Sequence, residues 1–153
     1  MTQAMFTQAA KAKRLPIFGG DIFLTMPVPE RGTSVSLFED VRRPGDGPPL
    51  HIHRREDEIF RIIEGRFKLR LGEQTLEASA GDTIFLPRDV PHSFINSGET
   101  TGRLLVVVQP GGVENFFFDV ARENLRVPQD VERLAQVAAG YGLEFIGPNP
   151  FFD

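Results

Sequence analysis

Cysteine is absent from the 153-residue chain. Disulfides, thiolate catalysis and Cys-ligated zinc are excluded with it. Tryptophan is absent too, and tyrosine occurs once against 14 phenylalanines, so the aromatic volume is almost purely apolar. No long basic tract is present and the formal charge is -4, so nucleic acid is not an expected partner. The first residues, "MTQAMFTQAAKAKRLP", are mixed and polar. They hold no apolar run of the length that a signal peptide or a membrane span needs. The expected location is therefore the cytoplasm, with no membrane partner. Histidine is scarce: His51, His53 and His92 are the whole supply, so their placement is informative.

What is present reads as one globular domain. The length suits a single core, and 41% hydrophobic with 25% charged residues is ordinary for a folded soluble chain. The 15 glycines and 12 prolines punctuate the first two-thirds at short intervals, in turns such as "RPGDGPP", "SAGD" and "PRDVP". Between the turns lie short stretches of strand character: "DIFLTM", "SVSLFEDV", "EIFRII", "FKLRL", "DTIFL", "HSFIN" and "RLLVVV". Many short strands with frequent turns predict a sandwich or barrel. The pattern changes after Gly112. Val113, Phe116, Phe117 and Val120 follow helical spacing, as do Val131, Leu134, Ala135 and Ala138. Two short helices are expected to pack on the barrel, and the tail "LEFIGPNPFFD" to add an extended piece. The barrel is expected over about 17–110 and the C-terminal helical extension over about 112–153.

The stretch "PPLHIHRREDEIF" concentrates the unusual chemistry. His51 and His53 are two apart, which in a strand puts both on one face, about 6.6 Å apart along the chain. Glu58, five residues after His53, would face the opposite side of one unbroken strand. The polar "RRED" between them supplies a turn, which puts Glu58 on the next strand and lets Glu58, Phe60 and Ile62 face one interior. Arg54, Arg55, Glu56 and Asp57 then read as solvent-facing turn residues, and Arg42 and Arg43 as surface charge. His92 opens the strand "HSFIN", whose alternation places His92, Phe94 and Asn96 on one face. Three imidazoles and a carboxylate form a donor set suited to a first-row divalent metal.

"GDGPPLHIHRREDEIFRIIEG" and "GDTIFLPRDVPHSFIN" resemble the two motifs of the cupin superfamily. Gly45, His51, His53, Glu58 and Gly65 fit the first, and Gly81, Pro87, His92 and Asn96 fit the second. Asp89 stands where the family usually has Gly, and Asp tolerates left-handed turn geometry. The flanks "QPGGVENFFFDVA" and "YGLEFIGPNP" look like those of single-domain, quercetin-dioxygenase-like bacterial cupins. The resemblance implies an all-β jelly-roll barrel with C-terminal helices. It also implies one divalent transition metal per chain, held by His51, His53, Glu58 and His92, and a homodimer, in which "IFGGDIFLTM" is a candidate for strand exchange between copies.

Four protein ligands fill a tetrahedral zinc. Fe, Mn, Ni, Co or Cu at higher coordination keeps a position for substrate, although zinc can load during expression. The implied function is a quercetinase-like dioxygenase acting on a small aromatic or enol substrate. The resemblance gives Glu58 a second role, taking the substrate proton. Phe60, Ile62 and Phe94 share the ligands' parity and are expected to line an apolar substrate cavity. The alternatives are a non-catalytic metal-dependent binding or sensing module, and a cupin isomerase or decarboxylase.

Overall fold

Alternation of inward apolar and outward polar side chains organises the chain into two antiparallel sheets. The computed structural model describes residues 4, 6–26 and 35–152. A short 3-10 turn, Ala9–Lys11, precedes eleven strands: β1 (Lys13–Ile17), β2 (Gly20–Met26), β3 (Ser36–Arg42), β4 (Leu50–His53), β5 (Asp57–Glu64), β6 (Arg66–Leu71), β7 (Gln74–Ser79), β8 (Thr83–Leu86), β9 (His92–Asn96), β10 (Gly102–Gln109) and β11 (Leu143–Gly147). Helices α1 (Glu114–Glu123) and α2 (Val131–Gly140) separate the last two strands. One sheet runs β1-β2-β3-β10-β5-β8 and the other β11-β4-β9-β6-β7. Together they form the expected jelly-roll barrel. No helix among the described residues is long and apolar enough to cross a membrane.

The core lies between the sheets. On β10, Leu104, Val106 and Val108 are buried between strands that contribute Phe38 from β3 and Phe60 and Ile62 from β5. Phe67, Leu69 and Phe94 close the barrel from the other sheet. Fully burying each such side chain contributes about 1.5–3 kcal/mol.

Two strands depart from the sequence reading, and both are sheet edges. β1 contains Pro16, which cannot donate to a ladder and is tolerated where one side of the strand is open. β7 reads "QTLEAS" and buries only Ala78, so its weak apolar signal hides it. The expected start of the barrel near residue 17 therefore moves back to Lys13. The extended piece expected in "LEFIGPNPFFD" is β11, which returns to pair with β4.

Helix α1 buries Phe116 and Val120 as its spacing requires and packs on β1. Helix α2 buries two of the four residues expected on its apolar stripe. Leu134 and Ala138 are buried with Val137 beside them, while Val131 and Ala135 are exposed. The Tyr141 hydroxyl donates to Asp119, and Arg133 pairs with Glu123 at 2.7 Å, tying the two helices together. After β11, Asn149 is 2% exposed and donates through Nδ2 to the carbonyls of Pro48 and Phe94. The tail is thus latched to the entry of β4 and to β9.

Candidate metal centre

His51 and His53 stand on β4, Glu58 on β5 and His92 at the start of β9. Arg54, Arg55 and Glu56 form the connection between β4 and β5, which resets the parity so that Glu58, Phe60 and Ile62 all point inward. Strand β9 pairs with β4 at a single position, His51 opposite His92. The second motif is anchored to the first by Asp89. Its backbone is left-handed, with φ 68, its N–H donates to the His53 carbonyl at 2.8 Å, and its carboxylate accepts from Arg54. The residue that replaces the usual Gly thus keeps the turn and adds an ion pair.

One donor atom from each of His51, His53, Glu58 and His92 lies within 4.8 Å of the other three. Glu58, His53 and His92 are almost fully buried and His51 is half-buried. Each imidazole uses Nδ1 elsewhere. Nδ1 of His51 donates to the Pro49 carbonyl at 2.8 Å and that of His92 to the Val90 carbonyl at 3.0 Å. Nδ1 of His53 faces the Glu56 carboxylate at 3.3 Å. Acceptors on Nδ1 fix the tautomer, so a neutral ring presents the Nε2 lone pair to the centre.

Lone pairs therefore converge without protons between them. His92 Nε2 lies 2.8 Å and His53 Nε2 3.2 Å from Glu58 Oε2. Yet Glu58 Oε2 and His92 Nε2, both buried, have no hydrogen-bond partner, because two acceptors cannot satisfy each other. A divalent cation among them removes that penalty, and the donor set matches one. The electrostatics agree. Positive charge at the centre favours the carboxylate: burial raises the Glu58 carboxyl, but the facing rings of His53, His92 and His51, when protonated, outweigh it and hold the group at about 2. Burial, with His92 and His53 alongside, pushes His51 well below the usual imidazole value. A charged carboxylate and a neutral ring are the forms that bind metal. His53 goes the other way: burial lowers it, but Glu58 and Glu56 together raise it.

The centre opens on a cavity of about 50 Å³. Phe60 and Phe94 line it as expected, whereas Ile62 is buried in the core and is not among its lining residues. Three sequence readings are corrected here. Glu56 is not a solvent-facing turn residue: it is 6% exposed and orients His53. Asp57 does face solvent, where its carboxylate accepts from Arg88, but it opens β5 and is no turn residue. Arg42 is not surface charge. At 1% exposure it grips both oxygens of buried Asp40, and both residues line the cavity. Burial pushes the Asp40 carboxyl up and Arg42 opposes it. The alternation Ser36, Phe38, Asp40, Arg42 held this signal, since all share the parity of the core residue Phe38.

The Cupin domain family model (Cupin_2) matches residues 41–108, the span that holds all four donors. The chain belongs to the cupin superfamily. This cupin is 34% identical over 80 residues to an uncharacterised protein of Methanocaldococcus jannaschii, a match covering 52% of this chain and 64% of that one. The chain thus spans less than two thirds of that relative's length. Quercetin 2,3-dioxygenase of Bacillus subtilis is 27% identical over 110 residues, 67% of this chain and 32% of that enzyme. Among solved structures, the polyketide cyclase RemF of Streptomyces resistomycificus superposes with a TM-score of 0.61 at 27% identity, covering 71% of this cupin and 81% of RemF.

Proposed function

We propose that this cupin is a metal-dependent enzyme acting on a small, oxygen-rich aromatic or enol substrate. The observation that carries the reading is the convergence of four lone-pair donors at the edge of a phenylalanine-walled cavity. His51, His53, His92 and Glu58 would hold the ion, which when bound supplies Lewis-acid polarisation of substrate oxygens. Glu58 is anionic at neutral pH and lines the cavity, so it is the group placed to take a proton from a substrate hydroxyl. Phe60 and Phe94 exclude water and favour a flat apolar body. Pockets for drug-sized ligands measure roughly 300–1,000 Å³, so the cavity at about 50 Å³ admits one only when its wall moves.

Dioxygenation is the first reading, supported by the likeness to quercetin 2,3-dioxygenase. Ring closure or another conversion without oxygen is the second. It is favoured by the match to RemF, which covers 81% of that cyclase against 32% of the dioxygenase. The test uses wild type and Glu58→Gln, each loaded separately with Fe, Mn, Co, Ni and Cu, against flavonols, catechols, enediols and poly-β-ketone aromatics. Oxygen uptake by wild type that Glu58→Gln loses, while still binding ligand, is the expected result. Products without oxygen uptake move the assignment to the second reading. Tight binding without any product reduces the protein to a binding module.

A further inference from the structure

Two hollows meet beside the metal ligands. One is the inner cavity of about 50 Å³. The other is an outer groove of about 1180 Å³ between the β1–β2 hairpin, the α1–α2 connection and the segment after β11. Phe18 and Phe145 line both, and their rings meet edge to face at 5.8 Å. They form the partition between groove and cavity. The groove is apolar at Pro16, Leu125 and Val127, so it suits a ligand with an apolar body and an oxygen-bearing head.

The two halves of the partition are held differently. Phe145 is a strand residue paired directly with His51. Phe18 sits in a two-residue hairpin turn with Gly19, at φ 51 and 81, with Ile17 opposite Gly20 on either side. Positive φ at both central positions is the type I′ geometry, which favours Asn-Gly. A phenylalanine there is disfavoured, because its Cβ crowds the following carbonyl oxygen. The turn is held from inside by Arg42, whose Nη1 donates to the carbonyls of Ile17 and Phe18, both at 2.9 Å. A bulky residue is thus kept in a conformation that disfavours it, with its ring over the passage to the ligands.

We propose that Phe18 is the gate of the metal cavity: its ring closes the passage from the groove and sets which ligands reach the ion. The proposal rests on the metal-centre reading. The test is removal of cobalt from the loaded full chain by pyridine-2,6-dicarboxylate, a flat aromatic chelator, read as the slope of stripping rate against chelator concentration. Phe18→Asn installs the residue the turn prefers, so the hairpin keeps its backbone and loses the ring. A gate open about a tenth of the time or less gives a slope at least about tenfold higher in Phe18→Asn than in wild type, with cobalt affinity changed by under about threefold. Phe18→Leu, smaller but still apolar, gives an intermediate slope and carries the comparison alone if the Asn variant fails to fold. Equal slopes overturn the gate, as does a slope that rises only in step with weakened affinity, the mark of a loosened core. A wild-type chain that takes up no cobalt overturns the metal centre and the gate together. Cobalt binding with equal slopes overturns the gate alone.

Discussion

Glu56 shows how a single side chain can matter without touching the ion. It is buried, and its carboxylate is placed to accept from His53 Nδ1, fixing that ring's tautomer and raising its basicity. Glu56→Ala is expected to lower metal affinity about 10- to 100-fold while leaving the fold intact. A chelator-competition titration beside a circular dichroism spectrum measures both, and an unchanged affinity would remove Glu56 from the centre. The sequence hid this residue and displayed the ligands for the same reason. Three histidines in the whole chain, all at ligand spacing, stand out against their background. Glu56 sits in a run of acids that is indistinguishable from a solvated turn until the fold buries one member and leaves Asp57 at the surface to bind Arg88. Arg42 was hidden in the same way, because the partners that bury it, the carbonyls of Ile17 and Phe18, lie on another hairpin.

Among the elements, β11 and the tail behind it do more than the periodicity of "LEFIGPNPFFD" suggests. Strand β11 gives β4 most of its backbone pairing, since β9 meets β4 only at His51 and His92. Asn149 then latches the tail to Pro48 and Phe94. Asn149→Ala removes a donor from the Pro48 and Phe94 carbonyls, of which Pro48 keeps the Ser93 hydroxyl, a loss of about 1–3 kcal/mol where no water replaces it. A lower midpoint in thermal melting, with weaker metal retention because β4 loosens, is the expected result. An unchanged melt would show the latch to be dispensable. Elements were legible where one face is buried and the other wet, as in β3, β5 and β10. The edge strands β1 and β7 were not, because Pro16 interrupts the first and Ala78 is the one residue the second buries. The inward face of α2 is legible at Leu134 and Ala138 but not at Val131 and Ala135, because its apolar residues fit two overlapping stripes and α2 packs against β11 along one of them.

At the scale of the molecule, the outer face of the six-stranded sheet exposes large apolar side chains around Arg61. Phe85 on β8 stands opposite Ile59 on β5, with Ile63 farther along, and the three are 60%, 39% and 47% exposed. Contiguous exposed apolar side chains mark interaction surfaces. The N-terminal hairpin pairs with β3 within one chain, and we propose that a second copy packs on the face that carries Phe85 and Ile59. Light scattering is expected to give twice the chain mass of 17.1 kDa, and Phe85→Asp to return it to 17.1 kDa. A 17.1 kDa wild type would exclude the dimer. The return of β11 to β4 has one more consequence, in the order of synthesis. All four donors leave the ribosome before β11 exists, and at about 5–20 residues per second the interval lasts seconds. During that time the strand bearing His51 and His53 lacks most of its ladder, so any ion it meets can exchange freely. Which ion the four donors take up would then depend in part on the metals at hand before the last strand docks, and not on the affinity order of the finished site alone.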